Sequence, residues 1–161
     1  MKLVQGRTSF HGAAVVVAAT IAMGLVAYPA QAEVSAERSA DVNMYNRTGC
    51  TFADPKEKID EGQWTESAPA EIQSGDSGYM RTESDDDNGG GVKASVTYTA
   101  EDCDAESSAL EGKSLRFSWH VRASGNNAYT SSGTASEFYT HHRHHGSREH
   151  PQVDAYFMVR D

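Results

Sequence analysis

Three runs of the chain, residues 92–99, 115–122 and 153–159, alternate apolar and polar side chains with a period of two. This period is that of a β-strand with one dry face and one wet face. Such strands bury their dry faces when two sheets pack together, so the runs predict an all-β chain folded as a single antiparallel β-sandwich. The apolar positions are Val92, Ala94, Val96 and Tyr98, then Leu115, Phe117, Trp119 and Val121, and finally Val153, Ala155, Phe157 and Val159.

Turn-forming residues separate these runs. Glycine and asparagine cluster at 88–91 and 124–127, and residues 46–49 have the composition of a turn after a short strand around Val42 and Met44. Residues 54–63, with Pro55 and Gly62, predict a loop, and residues 79–84 predict a short strand. Asn46-Arg47-Thr48 is a glycosylation acceptor where the host glycosylates. After residue 32, the sequence has no run of apolar residues at the three-to-four-residue spacing of an amphipathic helix.

The first 32 residues have the layout of a secretory signal peptide. Lys2 and Arg7 precede an apolar stretch from Ala13 to Ala27, and Ala30-Gln31-Ala32 is a small-x-small cleavage site. The stretch has about 15 residues, fewer than the roughly 20 that a membrane-spanning helix needs. We therefore expect a signal peptide at 1–32, a flexible lead-in at 33–41, a sandwich at 42–161 and a secreted, extracellular protein. An uncleaved anchor is the alternative.

The charge of the exported part limits its partners. Two of the 14 basic residues, Lys2 and Arg7, precede residue 33, so residues 33–161 carry 12 basic and 23 acidic side chains, a net charge of −11. Such a surface repels phosphate backbones, which argues against nucleic acid as a partner. It also disfavours simple electrostatic capture by anionic lipid. If a membrane is the target, aromatic contacts or a specific head group must supply the recognition.

The sequence contains two cysteines, Cys50 and Cys103. An even pair in an exported chain predicts one disulfide bond. A reactive or metal-binding thiol pair is the alternative, but neither a Cys-x-x-Cys spacing nor a neighbouring base supports it.

Catalytic motifs are weak. Gly75-Asp76-Ser77-Gly78 is similar to the segment around the nucleophile of trypsin-like proteases, but no histidine lies between residue 32 and this segment to act as its base. We interpret the segment as a turn. No nucleophile, base and orienting group can be assembled, so we predict a non-enzymatic protein without a cofactor.

Five histidines lie close together near the end of the chain: His141, His142, His144, His145 and His150. Imidazoles at this density bind zinc, copper or nickel ions, and they gain positive charge between pH 7 and 5. We predict a flexible loop here without a purposeful metal site, with a metal cluster and pH-dependent membrane docking as the alternatives. The acidic, glycine-rich segment 85–91 is interpreted as a hairpin loop, with weak calcium binding as the alternative.

Aromatic side chains are the candidates for contact with lipid. Trp64 follows a predicted loop and Tyr129 follows an Asn-rich turn, which favours a position at a membrane interface. Trp119 shares a strand face with Leu115 and Phe117, so we expect it in the core. The full set of candidates is Trp64, Tyr79, Trp119, Tyr129 and Tyr139.

In order along the chain, short blocks resemble the aegerolysin family, small secreted or toxin-associated β-sandwich proteins that include one component of a binary insecticidal crystal toxin. The matching blocks are the Asn-x-Thr-Gly turn at 46–49, Gly-x-Trp at 62–64, Ile-x-x-Gly at 72–75, Glu83-Ser84 before Gly89 to Gly91 and a strand ending in Tyr98, and Phe117-Ser118-Trp119 before Gly125-Asn126-Asn127. The resemblance covers most of residues 42–130 and the last strand. In two places this chain departs from the family pattern. Residues 85–91 stand where the family has a Thr-Gly-Thr-Glu-Gly-like loop, and residues 120–122 stand where it has Asp-Asn-Pro.

The resemblance implies a protein that binds a membrane lipid surface, often through sphingolipid-type head groups or lipid domains. In some members of the family a larger partner protein is needed to form a cytolytic pore, so the resemblance also implies a targeting component of such a pair. An extracellular module that binds a glycan or a protein is the alternative, because the same fold and tyrosines would serve it.

Overall fold

The computed structural model describes residues 37–85 and 89–160, and within these ranges it contains nine β-strands and one short 3₁₀ turn at Ser108–Leu110. The strands are β1 (Ser39–Arg47), β2 (Thr51–Glu61), β3 (Gln63–Glu66), β4 (Ser77–Glu83), β5 (Val92–Glu101), β6 (Ser114–Val121), β7 (Ala128–Thr130), β8 (Phe138–Gly146) and β9 (Pro151–Val159).

The strands form two sheets that pack face to face. A five-stranded sheet has the order β3-β4-β1-β9-β8, and a four-stranded sheet has the order β2-β5-β6-β7. The pair β1–β9 is parallel, and the other pairs between these strands are antiparallel. The predicted all-β sandwich is therefore confirmed, with one parallel pair in place of a wholly antiparallel arrangement.

The core lies between the sheets and contains the apolar faces predicted from the alternating runs. Phe52 of the four-stranded sheet makes edge-to-face contacts with Phe138 and Phe157 of the five-stranded sheet, at ring-centre distances of 6.2 and 6.1 Å. Towards the other end of β5, the buried Trp119 donates its indole N–H to Thr82 Oγ1 at 2.9 Å across the sandwich. This bond joins the two sheets and gives both buried polar groups a partner.

Two segments that the sequence assigned to loops are strands. Residues 54–61 belong to β2, and the histidine-rich segment belongs to β8. Both are edge strands, which pair on one side only and expose most of their side chains. Charged and histidine side chains are common on such edges because they discourage pairing with another chain, so the alternation that marks an inner strand is missing.

The beginning of the sandwich also differs from the prediction. β1 starts at Ser39, and Arg38 before it is buried, so residues 38–41 are part of the fold and not of a flexible lead-in. The Arg38 guanidinium donates to the carbonyl oxygens of Gly89 and Ala123. Residues 1–36, including the predicted signal peptide, lie outside the described residues. Within residues 37–85 and 89–160, no helix is long and apolar enough to cross a membrane.

The predicted disulfide between Cys50 and Cys103 is present, with an S–S distance of 2.01 Å. It joins the turn before β2 to the loop after β5. Gly49 lies against the same loop, where a Cβ atom would be 2.1 Å from Oδ2 of Asp104. The backbone N–H of Gly49 also donates to Ser107 Oγ at 2.8 Å. A side chain at position 49 would therefore displace the carboxylate of Asp104, which accepts from the backbone N–H of Ser107 at 2.8 Å.

The side chain of Asn46 holds together the corner where the chain passes from one sheet to the other. Its Nδ2 donates to the carbonyl oxygens of Cys50 and Ile72 at 2.7 and 2.9 Å. Its Oδ1 accepts from the backbone N–H and the hydroxyl of Thr48 at 3.1 and 2.7 Å. Asn46 is fully buried, so in the folded chain the Asn46-Arg47-Thr48 acceptor is not accessible to a glycosylating enzyme.

Reduction of the disulfide is expected to lower the free energy of unfolding by about 4 kcal/mol, because the bond closes a long loop in the unfolded chain. The two cysteines are 53 residues apart in sequence. Urea unfolding of the oxidised and reduced protein measures the difference. Equal unfolding midpoints would show that the disulfide adds no stability.

Replacement of Asn46 by alanine is expected to cost about 3 kcal/mol or more, because two buried carbonyl oxygens and one N–H lose their partner. Asn43→Ala is the matched control, since Asn43 is half-buried on the outer face and makes one long bond of 3.4 Å to Asp154. We expect the control to stay within about 0.5 kcal/mol of the wild type in urea unfolding. Similar losses for both variants would contradict the role of Asn46.

Candidate functional site

The two tryptophans belong to the interior of the sandwich. Trp119 is 1% exposed, as its strand face predicted. Trp64 is half-buried and packs edge-to-face on Trp119, with ring centres 5.6 Å apart. Gly62 allows the chain to reach this position, because it has φ of +86° and a Cβ atom there would lie 2.3 Å from the carbonyl oxygen of Glu83. The Gly-x-Trp block therefore anchors β3 to the core.

Two other candidates, Tyr79 and Tyr139, are 45% and 51% exposed on the outer surface of the five-stranded sheet. The structure adds two tyrosines that the sequence reasoning missed, Tyr45 on β1 and Tyr156 on β9, which lie between buried neighbours and so point outwards. We call this surface the tyrosine face. Its aromatic residues are Tyr45, Tyr79, Tyr139 and Tyr156, and its cations are Arg47, Arg81 and Arg143.

A stack of rings lies at the centre of the tyrosine face. Tyr45 and Tyr156 are paired in register on β1 and β9, and their rings are stacked with centres 4.7 Å apart and planes 9° apart. Arg47 and Arg143 lie over these two rings, with Cζ atoms 5.6 and 5.3 Å from the ring centres. His141 stacks on Tyr156 from the edge strand at 6.1 Å. The stack orders flat aromatic and cationic groups on one surface.

Ion pairs fix the rest of the tyrosine face. Tyr79 donates its hydroxyl to Asp41 Oδ1 at 2.5 Å, and Arg81 is paired with the same carboxylate at 3.8 Å. Partial desolvation and the bond to Asp41 raise the pKa of Tyr79, so its phenol stays neutral at physiological pH. Arg143 donates to Asp154 at 3.2 Å and to the hydroxyl of Tyr156 at 2.6 Å.

The remaining aromatic candidate, Tyr129, lies in a different place. It lines a cleft of about 490 Å³ between the edge strands β7 and β8, together with Asn127, His144 and Arg148. The Tyr129 ring is 4.9 Å from that of His144, and its hydroxyl accepts from Asn127 Nδ2 at 3.3 Å. We call this space the edge cleft.

The histidines do not converge on one point, because β8 sends alternate side chains to opposite faces. His142 and His144 face Tyr129, whereas His141 and His145 lie on the outer side, opposite Tyr156 and Gln152. His150 instead contacts the hydroxyl of Ser39 at 3.0 Å. Among residues 37–85 and 89–160, no group of three or more His, Cys, Asp or Glu side chains could hold a metal ion.

The acidic segment 85–91 is described only in part, since residues 86–88 lie outside the described residues. Gly89, the first described residue after this gap, is buried, and its carbonyl oxygen accepts a hydrogen bond from Arg38. This carbonyl is therefore already bonded to the Arg38 guanidinium.

Comparison with known proteins gives structural neighbours alone. No family model and no curated protein match the sequence. Among solved structures, the lipid binding protein Nakanori superposes with a TM-score of 0.59 over 76% of this chain and 71% of that chain, at 11% identity. The RahU protein, solved in complex with a TRIS molecule, superposes with a TM-score of 0.55 over 77% of this chain and 96% of that chain, at 10% identity. At this low identity, the superpositions show a shared fold alone.

The period of two could have found Tyr45 in the sequence. Val42 and Met44 were assigned to the first strand, so a buried Met44 places Tyr45 on the opposite face. Tyr156 likewise lies between Ala155 and Phe157 in a predicted strand. What the sequence could not show is that the two rings stack, because β1 and β9 come from opposite ends of the folded chain.

Acidification is expected to destabilise the folded protein slightly through His142. Desolvation first, and then the nearby His141 and His144, lower the pKa of His142 below its value in the unfolded chain. The unfolded state therefore binds more protons in this range, so the free energy of unfolding falls as pH drops from about 6.5 through the folded pKa. Urea unfolding at pH 7.5, 6 and 5 should show a flatter pH profile for His142→Gln. Superimposable profiles for variant and wild type would contradict the assignment.

Proposed function

We propose that this chain is a secreted, non-enzymatic, aegerolysin-like protein that binds a membrane lipid surface through the tyrosine face. The single observation that carries the proposal is the ordered row of outward tyrosines and arginines on one sheet of a sandwich. The fold is shared with Nakanori, which is described as a lipid binding protein. The ordered sequence blocks support the same proposal.

The chemistry of the tyrosine face suits the boundary between water and lipid. A tyrosine ring is apolar while its hydroxyl is polar, so the side chain is favoured where one end is dry and the other wet. Tyr79 and Tyr139 are the most exposed of these rings. They supply apolar contact area without a hydrophobic patch of aliphatic side chains, which would promote aggregation.

The charge distribution favours zwitterionic over anionic lipid. The exported part of the chain has a net charge of −11, so an anionic bilayer repels it as a whole. Arg47 and Arg143 bring positive charge next to the central rings. A guanidinium pairs well with a phosphate oxygen, and an aromatic ring face attracts a quaternary ammonium group. A head group that contains both groups, such as phosphocholine, fits this surface.

The resemblance to aegerolysins also suggests a partner protein. We propose that the chain is the targeting component of a cytolytic pair, in which a larger partner protein forms the pore. The tyrosine face would then hold the chain on the bilayer and leave the four-stranded sheet available to the partner.

Co-sedimentation of the purified protein with vesicles tests the lipid proposal. We expect binding to phosphatidylcholine vesicles with and without sphingomyelin and cholesterol, and weaker binding when phosphatidylserine is added. The double variant Tyr79→Ala/Tyr139→Ala should bind about tenfold more weakly, because two interfacial rings are lost.

Tyr129→Ala is the matched control, since it removes a tyrosine from the edge cleft and leaves the tyrosine face intact. An equal loss for this variant would move the lipid site to the edge cleft. Absence of binding to every vesicle would overturn the proposal, and a signal on a glycan array in that case would favour the glycan-binding alternative.

A further inference from the structure

A pocket of about 210 Å³ lies on the outer surface of the four-stranded sheet, opposite the tyrosine face. We propose that this pocket binds a tetrahedral oxyanion, the phosphate or sulfate group of a small molecule or lipid. We call it the arginine pocket and define it by Lys93, Ser95, Arg116, Ser118, His120 and Thr130. The inference does not depend on the tyrosine face.

Three hydroxyl groups form a row across the pocket. Ser95 of β5 is paired in register with Ser118 of β6, and Ser118 is paired with Thr130 of β7. Residues paired in this way project side by side from the same face, at the spacing of neighbouring strands, about 4.8 Å. Two neighbouring hydroxyls of such a row can donate to the same oxyanion, since each hydroxyl has one donor.

A lysine and an arginine flank the row on opposite sides. Lys93, paired with His120, is next along the strands on one side, and Arg116 has the neighbouring position on the other side. Ala128 opposite His120 is small, which leaves the pocket open on the β7 side. A cation on each side of a row of hydroxyls is a suitable arrangement for a group with a negative charge spread over several oxygens.

Arg116 is the residue that most strongly favours an anionic ligand in this pocket. Its Nη2 donates to Ser95 Oγ at 3.2 Å, which fixes the guanidinium over the row. Its Nε is shielded from solvent and has no hydrogen-bond partner among residues 37–85 and 89–160. Within the same ranges, no carboxylate forms an ion pair with it. Because solvent does not reach the Nε, a ligand would pair with the part of the guanidinium that lines the pocket, whose charge no carboxylate of the described residues neutralises.

One carboxylate, Asp60, lies at the rim of the pocket. It is paired with Lys58 at 2.7 Å and with Lys93 at 3.5 Å, so Lys93 is partly neutralised. Glu61 lies 3.6 Å from the imidazole of His120. In a chain with a net charge of −11 over residues 33–161, an arginine such as Arg116, without a carboxylate partner among residues 37–85 and 89–160, favours an anionic ligand.

Titration of the purified protein with inorganic phosphate and with inorganic sulfate, followed by NMR at pH 7 and low ionic strength, tests the inference. We expect saturable shifts of the Ser95, Ser118 and Thr130 amide signals. Arg116→Gln should weaken binding about tenfold and Ser118→Ala about threefold, because a charge-assisted donor contributes more than a neutral one. If Arg116→Gln fails to fold, Ser118→Ala and Thr130→Val carry the test.

Arg160→Gln is the matched control, since it removes an exposed arginine that follows β9 and belongs neither to the arginine pocket nor to the tyrosine face. We expect it to bind phosphate like the wild type. An equal loss for Arg160→Gln, an absence of saturation, or unchanged binding by Arg116→Gln together with Ser118→Ala would overturn the inference.

Vesicles of phosphatidylcholine with and without phosphatidic acid distinguish the two sources of the oxyanion. If phosphatidic acid increases vesicle binding in spite of the net charge of the chain, and Arg116→Gln removes that increase, a lipid phosphate reaches the pocket. If it reduces binding of free phosphate and leaves vesicle binding unchanged, the ligand is a soluble phosphate or sulfate compound. Either result supports the oxyanion site, and neither bears on the tyrosine face.

Discussion

The side-chain amide of Asn46 is the interaction on which the rest of the sandwich depends. It lies where the chain leaves the five-stranded sheet for the four-stranded sheet, and it bonds to the carbonyl oxygens of Cys50 and Ile72. The backbone bridge between Phe52 and Ile72 and the disulfide of Cys50 close the same corner. Because this corner fixes the end of β1, it also fixes the position of Tyr45 at the centre of the tyrosine face.

The two outer surfaces of the sandwich differ in chemistry although they share one core. On the five-stranded sheet, the tyrosines and arginines are stacked and paired with Asp41 and Asp154. On the four-stranded sheet, hydroxyls surround Arg116, which has no carboxylate partner among the described residues. The period of two makes this separation possible, since each strand can bury one face and carry independent chemistry on the other.

The inner strands could be predicted from the sequence, but the edge strands could not. β5, β6 and β9 have neighbours on both sides and a buried face, so their apolar residues alternate visibly. β2 and β8 pair on one side and expose most side chains, and their charges and histidines therefore resembled loops. The disulfide was predictable because the sequence has one pair of cysteines, and the burial of Trp119 was predictable because it shares a strand face with Leu115 and Phe117. The division of the histidines between two faces could be predicted only if β8 was recognised as a strand.

The inward side chains of each inner strand can be predicted from the sequence, because they follow the local alternation of apolar and polar residues. Only the folded chain shows which outward side chains become neighbours. Tyr45 stacks on Tyr156 because β1 pairs in parallel with β9, and Ser95 lies beside Ser118 and Thr130 because β5, β6 and β7 pair in one register. These strand pairings form because together they bury the whole core, and the free energy of that burial cannot be read from any single segment of the sequence.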